Sequence, residues 1–248
     1  MPKKISADFK KFGGRQYLND YYSSLYWMEK RILKFLHEFY KTLPKRPGRI
    51  LLELGGGPTI SHLLSSSGKM EKIVFAEFLP ANRAEINKFL VADVKAFNWQ
   101  KYLAYAAKLE KIKPAQIAER LRAKVTEVIA CDLNKQHPLL LKRKFDVVSV
   151  NFCPESITDN PLKFAGYFKK IASYVKPGGW LVMGLLRKSS YYPVGKLFFP
   201  ACYVDVPMLK RLLADNNFQK VNFKEIIFKS DGINGNIMLS AQKSPRSR

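Results

Sequence analysis

Apolar positions along the chain change period several times, and each change marks an element. Residues 9–26 are aromatic and polar, with Phe9, Phe12, Tyr17, Tyr21, Tyr22 and Tyr26. Leu25, Met28, Ile32, Phe35, Leu36 and Tyr40 then recur at three- and four-residue steps, which predicts a helix within 22–43. Pro44 and Pro47 close it. Ile50, Leu51, Leu52 and Leu54 form a short apolar run around Glu53, stopped by Gly55, Gly56 and Gly57. Such a run reads as a buried strand turning sharply into a loop and then a helix, here over 59–67. A second run over 72–77 ends on Glu77, and Pro80 suits the first position of a helix over 80–94. Further helices are predicted over 97–109, 114–124, 161–174 and 206–216, and further strands over 125–131, 145–151 and 180–185. Lys176-Pro177-Gly178-Gly179 turns into the last of these. Alternation in 221–228 and 237–241 predicts a closing antiparallel pair. Strands alternating with helices in this way imply an α/β fold, a doubly wound, mainly parallel sheet of seven strands. No internal repeat is visible.

Ligands of such sheets bind outside the carboxyl ends of the strands, where Gly55, Glu77, Asp132 and residues 151–155 fall. Gly55 and Gly57 let a ligand touch the main chain. Glu77 stands 22 residues beyond Gly55, where an acid accepts hydrogen bonds from the hydroxyls of a ribose. The site is therefore read as one for a nucleoside cofactor. The dinucleotide fingerprint wants a further glycine where Ile60 stands, and Glu53 is foreign to it. Acid-x-Gly-x-Gly resembles instead the first motif of S-adenosylmethionine (SAM) methyltransferases, whose cofactor has no diphosphate to cradle. Three parts follow: an N-terminal helical lid segment over 1–46, a SAM-binding domain over 47–243 and a basic tail over 244–248.

Composition narrows the picture. With 248 residues, 47% of them hydrophobic, one α/β domain with a helical annex can bury a full core. The longest apolar stretch, over 180–186, is too short to span a bilayer, and the first residues lack the apolar segment of a signal peptide. Cys131, Cys153 and Cys202 are odd in number and widely spaced, which speaks against a disulfide framework, and three histidines without paired spacing offer no metal site. The expectation is a cytoplasmic, metal-free, reduced monomer. The formal charge of +23 permits attraction to nucleic acid, anionic membrane or acidic small molecules. Its basic residues are spread through 41–49, 108–113, 142–144 and 169–176, as a solvated lysine surface would have them, and only 243–248 forms a basic end.

Several motifs in order resemble the small-molecule amine N-methyltransferases that act on nicotinamide, phenylethanolamine and indolethylamine. They are Tyr17-Leu-x-x-Tyr-Tyr22, Gly55-Gly-Gly-Pro-Thr-Ile60, Phe97-Asn-Trp99, Cys131-Asp132, Phe152-Cys-x-Glu155, Lys176-Pro-Gly-Gly179 and Ser190-Tyr191. The resemblance implies that Tyr17 and Tyr22 close on the substrate and on the carboxylate end of SAM. It puts Gly55, Gly56 and Thr59 at the methionine portion, with Glu53, Gly57 and Val150 in the same cofactor set. Glu77 and Asn82 fall at the ribose, Asp132 and Leu133 at the adenine. Glu155 and Asp231 match acids on the substrate side, one of them suited to receive the amine's proton, with Tyr17 beside them. Plain aromatic packing for the tyrosines, a cap for Asp132 and a Ser-Asp-Gly turn for Asp231 stand as structural alternatives.

Three departures from the family pattern bear on the acceptor. Ser61 replaces an aromatic residue after the Gly-Pro-Thr turn, and Asn151 adds a residue to the fourth-strand motif, which displaces Glu155. Where the relatives carry a substrate-binding acid, this chain has Leu185 and then Arg187. A guanidinium there favours a substrate with an anionic group, so the acceptor is expected to be an acidic or zwitterionic amine such as an amino acid, unless Arg187 faces solvent beside Lys188. Methyl transfer to a small thioether is the nearest alternative. Base methylation in nucleic acid is a further one, weakened because Asn151-Phe-Cys-Pro-Glu lacks the Pro-Pro-aromatic pattern of those enzymes. Cys153, conceivable as a nucleophile for carbon methylation, reads better as a small buried apolar residue. A noncatalytic SAM-binding protein has no need of Glu77, Asp132 and Glu155 together.

Overall fold

The computed structural model describes residues 5–6, 8–140 and 143–245. Lys142 and the last three residues of the basic tail lie outside the described residues. Among the described residues nine strands form in chain order: β1 (Ile50–Leu54), β2 (Lys72–Glu77), β3 (Val125–Ala130), β4 (Phe145–Asn151), β5 (Val175–Leu186), β6 (Tyr191–Val194), β7 (Leu197–Pro200), β8 (Phe218–Ile226) and β9 (Asn236–Lys243). Seven make one sheet in the order β3-β2-β1-β4-β5-β9-β8. The first five run parallel, and β9 is antiparallel to both β5 and β8. The mainly parallel, doubly wound sheet with a closing antiparallel pair is thus present as expected.

Side chains alternate along each central strand, and helices cover both faces, as a parallel sheet requires. Leu51, Ile73, Phe75, Val147, Val182 and Met238 share one face with α2 (Trp27–Thr42), α4 (Gln100–Glu110) and α5 (Pro114–Lys124). Leu52, Leu54, Val74, Val148, Val150 and Leu181 share the other with α6 (Pro161–Ser173) and α7 (Val206–Asp215). Helix α2 belongs to this core: Phe35, Leu36, Phe39 and Tyr40 are buried, and the Phe39 ring meets Trp180 edge-on at 5.7 Å. Within 1–46, then, α1 (Gly14–Tyr22) lies at the carboxyl edge, tied to α3 (Pro80–Leu90) by the Arg15–Glu85 ion pair, and the first turns of α2 reach the same edge while the rest of α2 is core.

Two local readings change. The helix expected over 59–67 is a pair of short 3-10 turns, Ser61–Leu63 and Ser66–Gly68. Ser66 and Ser67 turn their hydroxyls back to the carbonyls of Leu63 and Leu64 at 2.7 and 2.8 Å, a local bond that competes with helix propagation. The hairpin β6–β7, turned at Gly195 with φ +57°, was not foreseen, because Tyr191–Val194 and Leu197–Pro200 are too short to show a period. Among the described residues no helix is long and apolar enough to cross a membrane, and no cluster of side chains suits a metal.

Candidate active site

The loop after β1 is shaped by absent side chains. Gly55 has φ +66°, donates its N–H to Ala76 O at 2.7 Å, and a Cβ placed there would lie 2.1 Å from Cys153 Sγ. Gly57 has φ +61° and donates to Glu77 Oε2 at 3.1 Å. Glu77 Oε1 accepts from Leu79 N at 2.9 Å and from Asn82 Nδ2 at 3.0 Å. Burial raises the Glu77 pKa while these bonds pull it down. With one donor on Oε2, the carboxylate keeps acceptor capacity for a hydroxyl. Asn82 Oδ1 is buried under Gly14 of α1, without a hydrogen-bond partner among the described residues.

Asp132 follows β3 and its Oδ1 accepts from Asn134 N at 3.0 Å, so it does shape a turn. Leu133 is buried beside it and its carbonyl accepts from Lys170 Nζ. Cys131 N donates to Glu77 O at 3.3 Å, which sets the ends of β2 and β3 side by side. Glu77, Asn82, Asp132 and Leu133 therefore gather at one edge. A nucleoside fits this donor and acceptor set: side-chain-free loop, ribose-type acid, second carboxylate.

Next to that edge opens a cavity of about 480 Å³. Gly55, Gly56, Gly57 and Thr59 line one side of it, and Tyr17, Tyr21 and Tyr22 of α1 line another. Tyr17 packs on Tyr21 and Tyr22 with ring centroids 4.9 and 5.7 Å apart. Tyr22 shares the cavity wall with Thr59 and Ser61, which brings α1 beside the glycine loop. Burial pushes Tyr22 up to about 12 and Tyr17 well above its ordinary value, so both phenols stay protonated at neutral pH. Phe152, also in the wall, holds φ +53°, which is strained for a bulky residue and concentrates at functional sites.

Behind the loop, Glu53 is fully buried and accepts from Asn151 Nδ2 at 3.2 Å. His62 Nδ1 lies 4.0 Å from Glu53 Oε1. Burial lifts Glu53 to about 7 and lowers His62 to about 3, so His62 is neutral and the contact is not an ion pair. Val150 is buried in the core on the α6 and α7 side and does not line the cavity. Cys153 is a free thiol whose pKa burial raises well above its ordinary value, which leaves it a poor nucleophile.

The sequence places Glu155, Asp231 and Arg187 around one acceptor, and the structure sets none of the three in the cavity wall. Glu155 is fully buried, and its Oε1 accepts from Leu186 N at 2.9 Å, which anchors the end of β5, while Ser156 lines the cavity. Burial lifts Glu155 to about 7. Asp231 is exposed and accepts from the Tyr191 hydroxyl at 2.7 Å. Arg187 ion-pairs with Glu225, donates to Asn234 O at 3.2 Å, and lines a separate shallow depression with Lys188 and Tyr203. In their place the wall holds Asp20, Glu29, Tyr102, Trp27, Phe228 and Lys229, which the sequence reading did not single out. Glu29 carried one signal, its place three residues after Tyr26 at a helix start.

The sequence profile of the NNMT/PNMT/TEMT family matches residues 4–244. Nicotinamide N-methyltransferase of Homo sapiens is 32% identical over 197 residues, covering 76% of this chain and 75% of that protein. Indolethylamine N-methyltransferase of Mus musculus is 27% identical over 252 residues, covering 95% and 94%. Among solved structures, the N-methyltransferase NodS of Bradyrhizobium japonicum in complex with S-adenosyl-L-homocysteine superposes with a TM-score of 0.58 at 10% identity, covering 95% of this chain and 99% of that one, which supports the shared fold. Agreement of this extent, over nearly the whole length and on the sheet just described, means that the chain belongs to the NNMT/PNMT/TEMT family and is a SAM-dependent N-methyltransferase.

Proposed function

We propose that the methyl acceptor is a small amine carrying an aromatic or heteroaromatic ring, held in the cavity under α1. The observation that carries this reading is the wall itself: Tyr17, Tyr21, Tyr22, Trp27, Tyr102 and Phe228 surround the space. Flat rings and amine cations both gain from such surfaces.

In this reading Gly55, Gly56 and Thr59 meet the methionine portion of SAM, Glu77 and Asn82 the ribose, and Asp132 and Leu133 the adenine. SAM supplies a methyl group already activated by its sulfonium. The protein's part is alignment and exclusion of water. Residues around α1 act as the lid, with Tyr17 on the acceptor and Tyr22 beside the glycine loop. Glu53 and Val150 support the loop and strand from behind, and Glu155 fixes the end of β5.

An acidic or zwitterionic acceptor calls for a cation facing it. The Arg187 guanidinium is already paired with Glu225, and Lys229 is the lysine or arginine that lines the cavity among the described residues. The aromatic wall therefore carries more weight than the charge at position 187. The test is methyl transfer from SAM to an arylalkylamine and to the amino acid bearing the same ring, with wild type and Arg187→Leu. The amine should be preferred by at least about tenfold in kcat/KM, and Arg187→Leu should leave both within about twofold, since a surface pair contributes about 0–1 kcal/mol. Preference for the amino acid that vanishes in Arg187→Leu would overturn this reading in favour of the zwitterion.

A further inference from the structure

We infer that Glu29 is the carboxylate that receives the acceptor's amino group, so the enzyme selects acceptors that present an N–H donor or an ammonium beside their ring; this rests on the aromatic-amine reading above. Two carboxylates line the cavity among the described residues, Asp20 and Glu29. Asp20 is engaged at both oxygens, by Gln16 Nε2 at 2.7 Å and by Gly195 N at 2.8 Å. Glu29 is not. It stands in the first turn of α2, and its Oε2 is buried with no hydrogen-bond partner among the described residues. A buried carboxylate oxygen left unpaired is costly, and an N–H from a ligand removes that cost.

The surroundings suit the same ligand. Tyr22 and Tyr102 stand close enough to feel the Glu29 charge, and both are cavity walls. Trp27, two residues before Glu29, meets Phe228 edge-on at 6.2 Å. A carboxylate set among aromatic rings is a site for an amine rather than for an anion. Methyl transfer also converts a neutral amine into a cationic one. A carboxylate beside the nitrogen therefore attracts the reacting group more strongly as charge develops.

Glutamine separates charge from shape at position 29, because its amide keeps the volume and one acceptor oxygen while the charge is gone. The experiment is calorimetric titration of benzylamine and of benzyl alcohol into the chain saturated with S-adenosylhomocysteine, using wild type, Glu29→Gln and Glu29→Ala. Wild type should bind benzylamine more tightly than benzyl alcohol. Both variants should lose at least about tenfold in benzylamine affinity and stay within about twofold for benzyl alcohol, and Glu29→Gln should keep the wild-type thermal midpoint and S-adenosylhomocysteine affinity. Wild-type benzylamine affinity in Glu29→Gln, or equal losses for the two probes, would overturn the inference and leave the aromatic-amine reading standing. Wild type that binds neither probe would overturn the aromatic-amine reading itself.

Discussion

At the glycine-loop end of the site the acid, Glu77, has both carboxylate oxygens held by the chain's own hydrogen bonds, whereas at the end formed by α2 and residues 228–236 the acid, Glu29, has an oxygen that is not. Glu77 takes three hydrogen bonds from the chain itself. Across the cavity, Glu29 Oε2 and Asn236 Oδ1 are buried with no partner among the described residues. The first end is preorganised: its acid is oriented before any ligand arrives, and its loop presents main chain. The second end keeps unmet hydrogen-bonding demand, which a ligand of the right chemistry satisfies and a wrong one leaves costly. On the function proposed above, the first region takes the cofactor and the second chooses the acceptor.

Substitution in the glycine loop should break the preorganised end most severely. Gly55→Ala forces a Cβ against Cys153 and puts alanine at φ +66°. Left-handed backbone costs about 1–2 kcal/mol and overpacking a further ~1–3. Differential scanning fluorimetry should show a midpoint lower by roughly 4–20 °C, with SAM-dependent stabilisation lost. A midpoint within a degree of wild type would show that the loop relaxes freely.

The next effect is a pH dependence that belongs to neither end. Glu155 is held at about 7 by burial, above its ordinary value. The folded state therefore binds more protons than the unfolded state between roughly pH 4.5 and 7. The contribution is full below the unfolded value and is lost as pH rises through about 7. Glu155→Gln should flatten the fall in thermal midpoint over that window, and at pH 8 it should be the more stable protein. Glu53, lifted likewise, leaves a residual slope. An unchanged slope in Glu155→Gln would place the dependence elsewhere.

Gly57→Ala is the mildest change, because no atom lies within 4 Å of a Cβ there and only φ +61° resists it. A loss of about 1–2 kcal/mol is expected, seen as a midpoint lower by roughly 2–8 °C with SAM binding kept. Loss of SAM binding in this variant would mean that the space beside Gly57 is filled by the cofactor.

How far each region could be read from sequence follows the same division. The seven-stranded sheet was legible because periods of two and of three to four residues are local signals, and Gly55, Gly57, Glu77 and Asn82 lie within 28 residues of one another. The acceptor end joins Tyr17, Glu29, Tyr102, Phe152 and Phe228, which only the fold brings together. Arg187 illustrates the limit. Its charge was visible, but Glu225 on β8, across β9 from the end of β5, was not assignable to it until β5, β9 and β8 were in register. Glu155 illustrates another: it stands in the short 3-10 turn after β4, where no period tells which side chain faces the cavity, and its carboxyl turns to Leu186 N while Ser156 lines the cavity.

The measurement that tests the account most directly is calorimetric titration of S-adenosylhomocysteine into wild type and Glu77→Ala. The carboxylate at the end of β2 should bind the ribose through charged hydrogen bonds, each contributing about 1.5–3 kcal/mol. Affinity should fall by roughly 10–150-fold in the variant, while benzylamine binding to cofactor-saturated protein stays within about twofold of wild type. Unchanged S-adenosylhomocysteine affinity in a folded Glu77→Ala protein would contradict the assignment of the glycine-loop end to the cofactor.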